Sequence, residues 1–232
     1  MKWAKQLSVI VPVGPNEKSW GFLLEQLKPV LQEAEILLSA CDPIELPKGL
    51  LKRKNIKVIV GSQGRGVQLN RAAAFASREY LWFIHSDSQF TPSTLPAIKR
   101  AMGLKTRAVW FFDLGFYDGP SLLWVNALGT KVRSRLLKLP FGDQGFLMTQ
   151  ETFKKLNGFE EKASFGEDHL LVWKAHERHI PVKPIHGKLL TSGRKYQKLG
   201  WWNTTCRHLR LTYEQAKQEC LRIREQRQRV NQ

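Results

Sequence analysis

Tyr80-Leu81-Trp82-Phe83-Ile84 runs straight into His85-Ser86-Asp87-Ser88. An apolar run this short, ending so abruptly, reads as a strand buried on both faces that delivers its last residues to the rim of a sheet. In open α/β folds, ligands sit at the carboxyl ends of the strands. Asp87 is thereby placed where a carboxylate can hold a metal ion and, through it, a phosphate. The same residue equally suits a turn or helix cap before Thr91-Pro92. His85 and Asp87 share a face of a strand because the period is two, and both can face a metal. His186, after a later strand, is a further candidate ligand; a satisfied structural histidine is the alternative.

Other segments build the same picture. Leu7–Val13, Glu35–Ala40, Lys57–Val60, Ala108–Phe116 and Val182–Ile185 read as strands. Helical spacing is predicted over Ser19–Ala34 (with a kink at Pro29), from Gly64 to about Arg78, and over Pro92–Met102, Leu122–Lys138, Glu151–Leu156, Glu167–Arg178 and Trp201–Arg229. Strand–helix alternation predicts an α/β sheet with helices on its faces. The 232 residues suit one sizeable domain, here 1–213, followed by a basic helical extension, 214–232.

Net charge is +17, from 37 Lys plus Arg against 20 Asp plus Glu, a field that attracts nucleotides, nucleic acid or anionic headgroups. From Arg194 onward there are ten Lys or Arg and three Glu, so the excess is strong at the C-terminal end. No apolar segment approaches the roughly 20 residues of a membrane-spanning helix, and the N-terminus does not read as a secretory signal. Cys41, Cys206 and Cys220 are odd in number and form no C-x-x-C pair, which argues against a zinc site or disulfide framework and fits a cytoplasmic setting.

Four further segments carry candidate chemistry. Gly61-Ser62-Gln63-Gly64-Arg65-Gly66 opens a helix, where glycines and free N–H groups suit phosphate and Arg65 adds a cation; a plain glycine-rich turn has the same look. It is neither a Walker A loop nor a dinucleotide fingerprint. Phe165-Gly166-Glu167-Asp168-His169 puts two acids at a helix start, where they favour the helix dipole or aim one carboxylate into a cleft as a general base. In Phe141-Gly142-Asp143-Gln144-Gly145 the flanking glycines suggest backbone close to a ligand. Thr191-Ser192-Gly193-Arg194-Lys195 is a small-residue loop ending in two cations, suited to phosphate or simply exposed. Trp201-Trp202 suits core, a sugar-stacking platform or a membrane-interface anchor, with core the default.

Taken in order, these pieces resemble a family 2 glycosyltransferase with the GT-A fold, over roughly Leu7 to Tyr213. The carriers are Val9-Ile10-Val11-Pro12 with Asn16-Glu17, Gly64-Arg65-Gly66 with Gln68-Leu69-Asn70, His85-Ser86-Asp87, Gly142-Asp143-Gln144, Asn157-Gly158-Phe159, Glu167-Asp168 and Thr191-Ser192-Gly193-Arg194. The chain is most similar to the compact subgroup associated with arsenosugar biosynthesis. The resemblance implies a mixed, mainly parallel sheet with helices on both faces. It implies an inverting, hexosyltransferase-type enzyme that moves a sugar from a nucleotide-diphosphate donor, a UDP-sugar being favoured, to an acceptor hydroxyl. Asp87 would bind Mg²⁺ or Mn²⁺ bridging the diphosphate, and Asp168 would be the base. Arg65 and Arg194 would steady the diphosphate. Pro12, Glu17, Asp42, Asn70, His85 and Ser86 would contact the nucleotide, and Asp143, Gln144 and Glu167 the donor sugar or acceptor. Two departures stand out: His85 occupies the first acid position of the Asp-x-Asp motif, and Ser39-Ala40-Cys41-Asp42-Pro43 replaces an Asp-rich turn.

Two other classes fit the sequence less fully. A non-catalytic basic protein on the same scaffold would bind polyanions without any metal-dependent nucleotide binding. A nucleotidyltransferase would need a Lys or Arg near the first strand, and Pro12 to Glu17 has none. No specific nucleic-acid partner is expected. Arg222, Arg224, Arg227 and Arg229 suit either a solvated helix or a peripheral contact with the inner face of an anionic membrane, which would favour a lipid-linked acceptor.

Overall fold

In a computed structural model, residues 1–163 and 165–230 are described, with the backbone alone over 226–230. After a short 3-10 turn come β1 (Leu7–Val13), α1 (Trp20–Gln26), β2 (Glu35–Ala40), β3 (Ile56–Val60), α2 (Arg65–Phe75), β4 (Tyr80–Phe83), β5 (Gln89–Phe90) and α3 (Thr94–Gly103). The second half holds β6 (Val109–Phe116), α4 (Leu123–Leu136), β7 (Phe146–Thr149), α5 (Gln150–Lys155), α6 (Glu167–Glu177), β8 (Val182–Thr191), α7 (Arg194–Leu199) and α8 (Trp201–Val230).

The strands form one sheet in the order β3-β2-β1-β4-β7-β6-β8-β5. Its β3-β2-β1-β4 block is wholly parallel, and β6 runs parallel to β8. β7 pairs antiparallel with both β4 and β6, and β5 antiparallel with β8. This is the mixed, mainly parallel GT-A-like architecture that the resemblance implied.

The continuous apolar runs explain why the sheet is covered twice. Val9, Val11, Ile36, Leu38, Tyr80, Trp82 and Phe112 pack on one face with α1 and α3. Ile10, Leu37, Leu81, Phe83 and Phe111, one position out of step, pack on the other with α2, α5 and α6. Alternate residues of one strand thus feed two cores, so hardly any position along it can be polar. Glu35 is an exception. Buried at the start of β2, it accepts from Ser8 Oγ (2.6 Å), Ser77 N (2.8 Å) and Lys57 Nζ (3.1 Å). Burial raises its carboxyl and those bonds outweigh it, leaving it below the usual glutamate range.

Several expectations need correction. β4 stops at Phe83, and Ser86-Asp87 form a turn closed by Ser88 N to His85 O (3.1 Å), so no strand period links His85 to Asp87. α1 ends at Gln26; turns carry the chain through Pro29, which has no N–H to continue a helix. β8 runs to Thr191, well past the expected Ile185. The short strands β5 and β7 were not anticipated. α8 runs unbroken across the expected boundary at 213/214, and Gln215 on it is buried, accepting from His169 Nδ1 (2.7 Å). The C-terminal segment is thereby fastened to α6.

Glu35→Ala would leave a buried hydroxyl and a backbone N–H without their acceptor. The expected cost is about 2–4 kcal/mol, measured as a lower urea midpoint with an unchanged slope.

Candidate active site

Direction alone gathers the site. β6 is antiparallel to β7 and β7 to β4, so β1, β2, β3, β4, β6 and β8 all end on one edge. The polar segments after those strands meet there: Glu17 after β1, Asp42 after β2, Arg65 after β3, His85 to Asp87 after β4, Tyr117-Asp118 after β6 and Ser192 to Arg194 after β8. Gly142-Asp143-Gln144, a short 3-10 turn leading into β7, joins them.

One cluster centres on Arg65 at the start of α2. Its Nε lies 3.0 Å from Glu167 Oε1 and its Nη2 3.7 Å from Asp168 Oδ2, and the guanidinium also donates to His85 Nε2. Asp168 Oδ2 accepts from Gly142 N (2.5 Å), and its Oδ1 from His169 N (2.8 Å). A Cβ at position 142 would stand 2.7 Å from both Arg65 Nη2 and Asp168 Oδ2, so a larger residue there would displace those side-chain ends. Burial, then the charges of Arg65 and Lys195, hold His85 well below its ordinary value, so it is neutral. Burial and neighbouring Asp168 raise Glu167. Arg65, His85, Gly142 and Asp168 line a small cavity closed by Phe83 and Phe159.

A second cluster centres on Arg194. Its Nη2 is 3.1 Å from Glu17 Oε2 and 3.5 Å from Asp87 Oδ2. The loop that carries it is clamped, since Ser192 Oγ and Gly193 N both donate to Asp118. Burial raises Asp87; the charge of Glu17 adds to this, while Arg194 and Lys195 oppose it. Asp87 opens onto a separate hollow with Ser19, Phe22, Ser86 and Tyr117.

Asp143 stands within the field of both clusters. Burial pushes its carboxyl up to about 6, against the charge of Arg133; Asp168 and Asp87 add to the rise and Arg65 opposes it. Arg133 reaches in from α4, lying 3.8 Å from the Phe141 ring centroid while its Nε donates to Leu139 O (2.9 Å). Asp87 and Asp168 therefore line different hollows but act on the same buried carboxyl.

Some expected site residues do other work. Gln144 is fully buried, with Nε2 donating to Phe112 O (2.7 Å) and Oε1 accepting from Phe141 N (3.2 Å), so it braces the turn and lines no pocket. Asn70 straps the Asn157–Phe159 loop, accepting from Phe159 N and donating to Phe159 O, both at 2.9 Å. Gly66 serves packing, because a Cβ there would meet Glu160 O at 2.8 Å. His186 is exposed in a bulge of β8 with its carbonyl bonded to Arg100 (3.0 Å), so it is not brought to Asp87. Pro12 pairs with Ser39 inside the sheet, and Asp42 is exposed at the rim. Arg133 and Asp118 were missed: neither sits in a distinctive motif, and Asp118 gains its place from Ser192 and Gly193, distant in sequence.

The family described as "Glycosyl transferase family 2" matches residues 34–154, just over half of the chain, and the chain belongs to that family. No curated protein matches it. Among solved structures it is similar to S. aureus TarS 1–349, with 20% identity and a TM-score of 0.59 over 81% of this chain and 58% of that one. The same fragment in complex with UDP-GlcNAc matches at 19% identity and a TM-score of 0.59, covering 81% and 56%. In complex with UDP it matches at 19% and 0.55, covering 81% and 58%. This chain thus spans less than two thirds of those structures, and the likeness is one of fold.

Because Asp143 titrates at about 6 when folded and near 3.9 when unfolded, the native state binds the proton more tightly. Stability should fall as pH rises from about 4 to about 6 and then stay lower. Asp143→Asn removes that penalty. Thermal melts should show the variant more stable than wild type by on the order of 1–3 kcal/mol at pH 7, with the difference closing near pH 4.

Proposed function

We propose that this glycosyltransferase moves a sugar from a nucleoside-diphosphate sugar to an acceptor hydroxyl in one inverting displacement, with Asp168 as general base. The observation that carries the reading is the pairing of two acid–arginine clusters on one strand-end edge, both acting on Asp143. A UDP-hexose is the favoured donor, because TarS of the same fold was solved with UDP-GlcNAc and with UDP.

The geometry supports these roles. Arg194 and Lys195 supply positive charge beside Asp87, where a leaving diphosphate gains negative charge. Asp168 is fixed at the head of α6 by two backbone N–H groups, which orients a base toward an incoming hydroxyl. Glu167 and His85 hold the Arg65 guanidinium next to it.

A divalent cation suits Asp87 only as a site shared with the donor. Among the described residues no group of three or more His, Cys, Asp or Glu is placed to hold a metal. His85 is already engaged by Arg65. Mg²⁺, however, is commonly held by one or two carboxylates together with substrate phosphates. Burial makes Asp87 harder to ionise, Arg194 opposes this and nearby Glu17 adds to it, and a bound cation would favour the carboxylate. Once bound there, the ion would neutralise charge on the diphosphate.

In a thermal-shift panel of nucleoside diphosphates and sugar nucleotides, stabilisation should require a uridine nucleotide together with Mn²⁺ or Mg²⁺. A response to polyanions alone would favour a basic binding protein; turnover of a nucleoside triphosphate with a sugar phosphate would favour nucleotidyl transfer. Asp168→Asn should lower kcat by about 10²–10⁴ while nucleotide affinity is retained. Undiminished turnover by that variant would remove Asp168 from the chemistry.

A further inference from the structure

Helix α4 turns its apolar residues outward. Trp124, Val125, Leu128, Val132 and Leu136 recur at helical spacing and form one stripe. All five are exposed, from 37% at Val125 to 75% at Leu136, whereas the residues of α4 that are buried are Leu123 and Ser134. Single exposed hydrophobics are ordinary, but a continuous stripe marks an interaction surface. Basic residues edge it: Lys131 and Arg135 lie on one flank and Lys138 follows, and α4 contains no acid. Arg135 and Lys131 share Asp113, at 2.9 and 3.9 Å, so two cations meet one acid.

A second stripe adjoins it. On α8, Trp202, Leu209 and Tyr213 fall on one helical face and are 65–69% exposed, with Arg207 and Arg210 exposed beside them. The two helices are tied at Asn126, which accepts from Trp201 Nε1 (2.5 Å) and donates to Thr205 Oγ1 (3.0 Å).

We propose that α4, together with the first turns of α8, seats this protein on an anionic lipid bilayer. The apolar stripes enter the interface, and Lys131 and Lys138 lie among the headgroups. Large apolar side chains on an exposed face with flanking Lys and Arg are the chemistry of an interfacial helix, and Trp and Tyr favour that depth. A second copy of the chain is a poorer occupant, because each copy carries a net charge of +17 and would present the same basic flank. Nucleic acid would satisfy the cations and leave the stripe wet. This surface differs from the expected one at the C-terminal arginines. Of those, Arg222 is engaged by Glu177 (3.1 Å) and Glu219 (2.9 Å), and the side chains of Arg227 and Arg229 lie outside the described residues.

The test is cosedimentation with vesicles of phosphatidylglycerol and phosphatidylcholine, against phosphatidylcholine alone. The protein should bind the anionic vesicles, and less so at high salt. Leu128→Glu with Val132→Glu should weaken that binding at least about tenfold, while Lys131→Ala should weaken it about fivefold. Both stripe positions are solvent-exposed, so thermal melting of the double variant should match wild type and separate lost docking from lost fold. Absence of vesicle binding, equal binding to neutral vesicles, or full binding by the double variant would each overturn the proposal. So would light scattering that shows a dimer which the same substitutions split.

Discussion

Two-sided burial of the parallel strands is the constraint on which everything else here depends. With one set of side chains against α1 and α3 and the next against α2, α5 and α6, β1, β2 and β4 have little room for an ionisable group along their length. The one buried carboxylate of β2, Glu35, is held there by several donors. Charged chemistry is therefore displaced to the ends of the strands. Six of the eight strands point the same way, so it accumulates on a single edge.

That edge is electrostatically crowded. Glu17, Asp87, Asp143, Glu167 and Asp168 stand close enough for several of them to raise one another, and Arg65, Arg133, Arg194 and Lys195 hold the group together. Such an arrangement stores free energy: burial keeps Asp143 and Asp87 harder to ionise than in water, and a cationic or polyphosphate ligand would rearrange those pairs. Sites tuned for ligands are commonly less stable than they could be. The two arginines are already aimed by the acids they pair with, and their side chains, 39% and 49% exposed, remain open to an incoming anion.

Six of the strands and the places of Asp87 and Glu167-Asp168 at element ends were legible in the sequence, because a run such as Leu81 to Ile84 ends where its burial ends, and Glu167-Asp168 opens a helix after a glycine; the short β5 and β7 did not stand out. Motif spacing misled where bracing and chemistry use the same residue types. Asn70 and Gln144 are polar groups in glycine-bearing motifs, yet they bond backbone atoms of Phe159, Phe112 and Phe141. The period-two link between His85 and Asp87 failed because a turn intervenes. The turn sends His85 toward Arg65 and Asp87 toward Arg194. Arg133 was hidden for a different reason. Apolar spacing in α4 predicts an inward face, whereas this helix packs through Leu123 and Ser134, leaving the apolar stripe outside and Arg133 facing the site.

Histidine at position 85 is consistent with this balance of charge. A carboxylate there would form an ion pair with Arg65 and compete with Glu167 and Asp168 for it, adding one more negative group near Asp87 and Asp143. Neutral imidazole accepts a hydrogen bond from Arg65 without claiming its charge, and burial together with Arg65 and Lys195 keeps the ring unprotonated. Arg65 can then serve the acids at the head of α6 while still being positioned from the end of β4. The departure from an Asp-x-Asp pattern thus keeps Asp87, together with Glu17, on the side where Arg194 and Lys195 concentrate positive charge, and leaves Arg65 with Glu167 and Asp168 on the other.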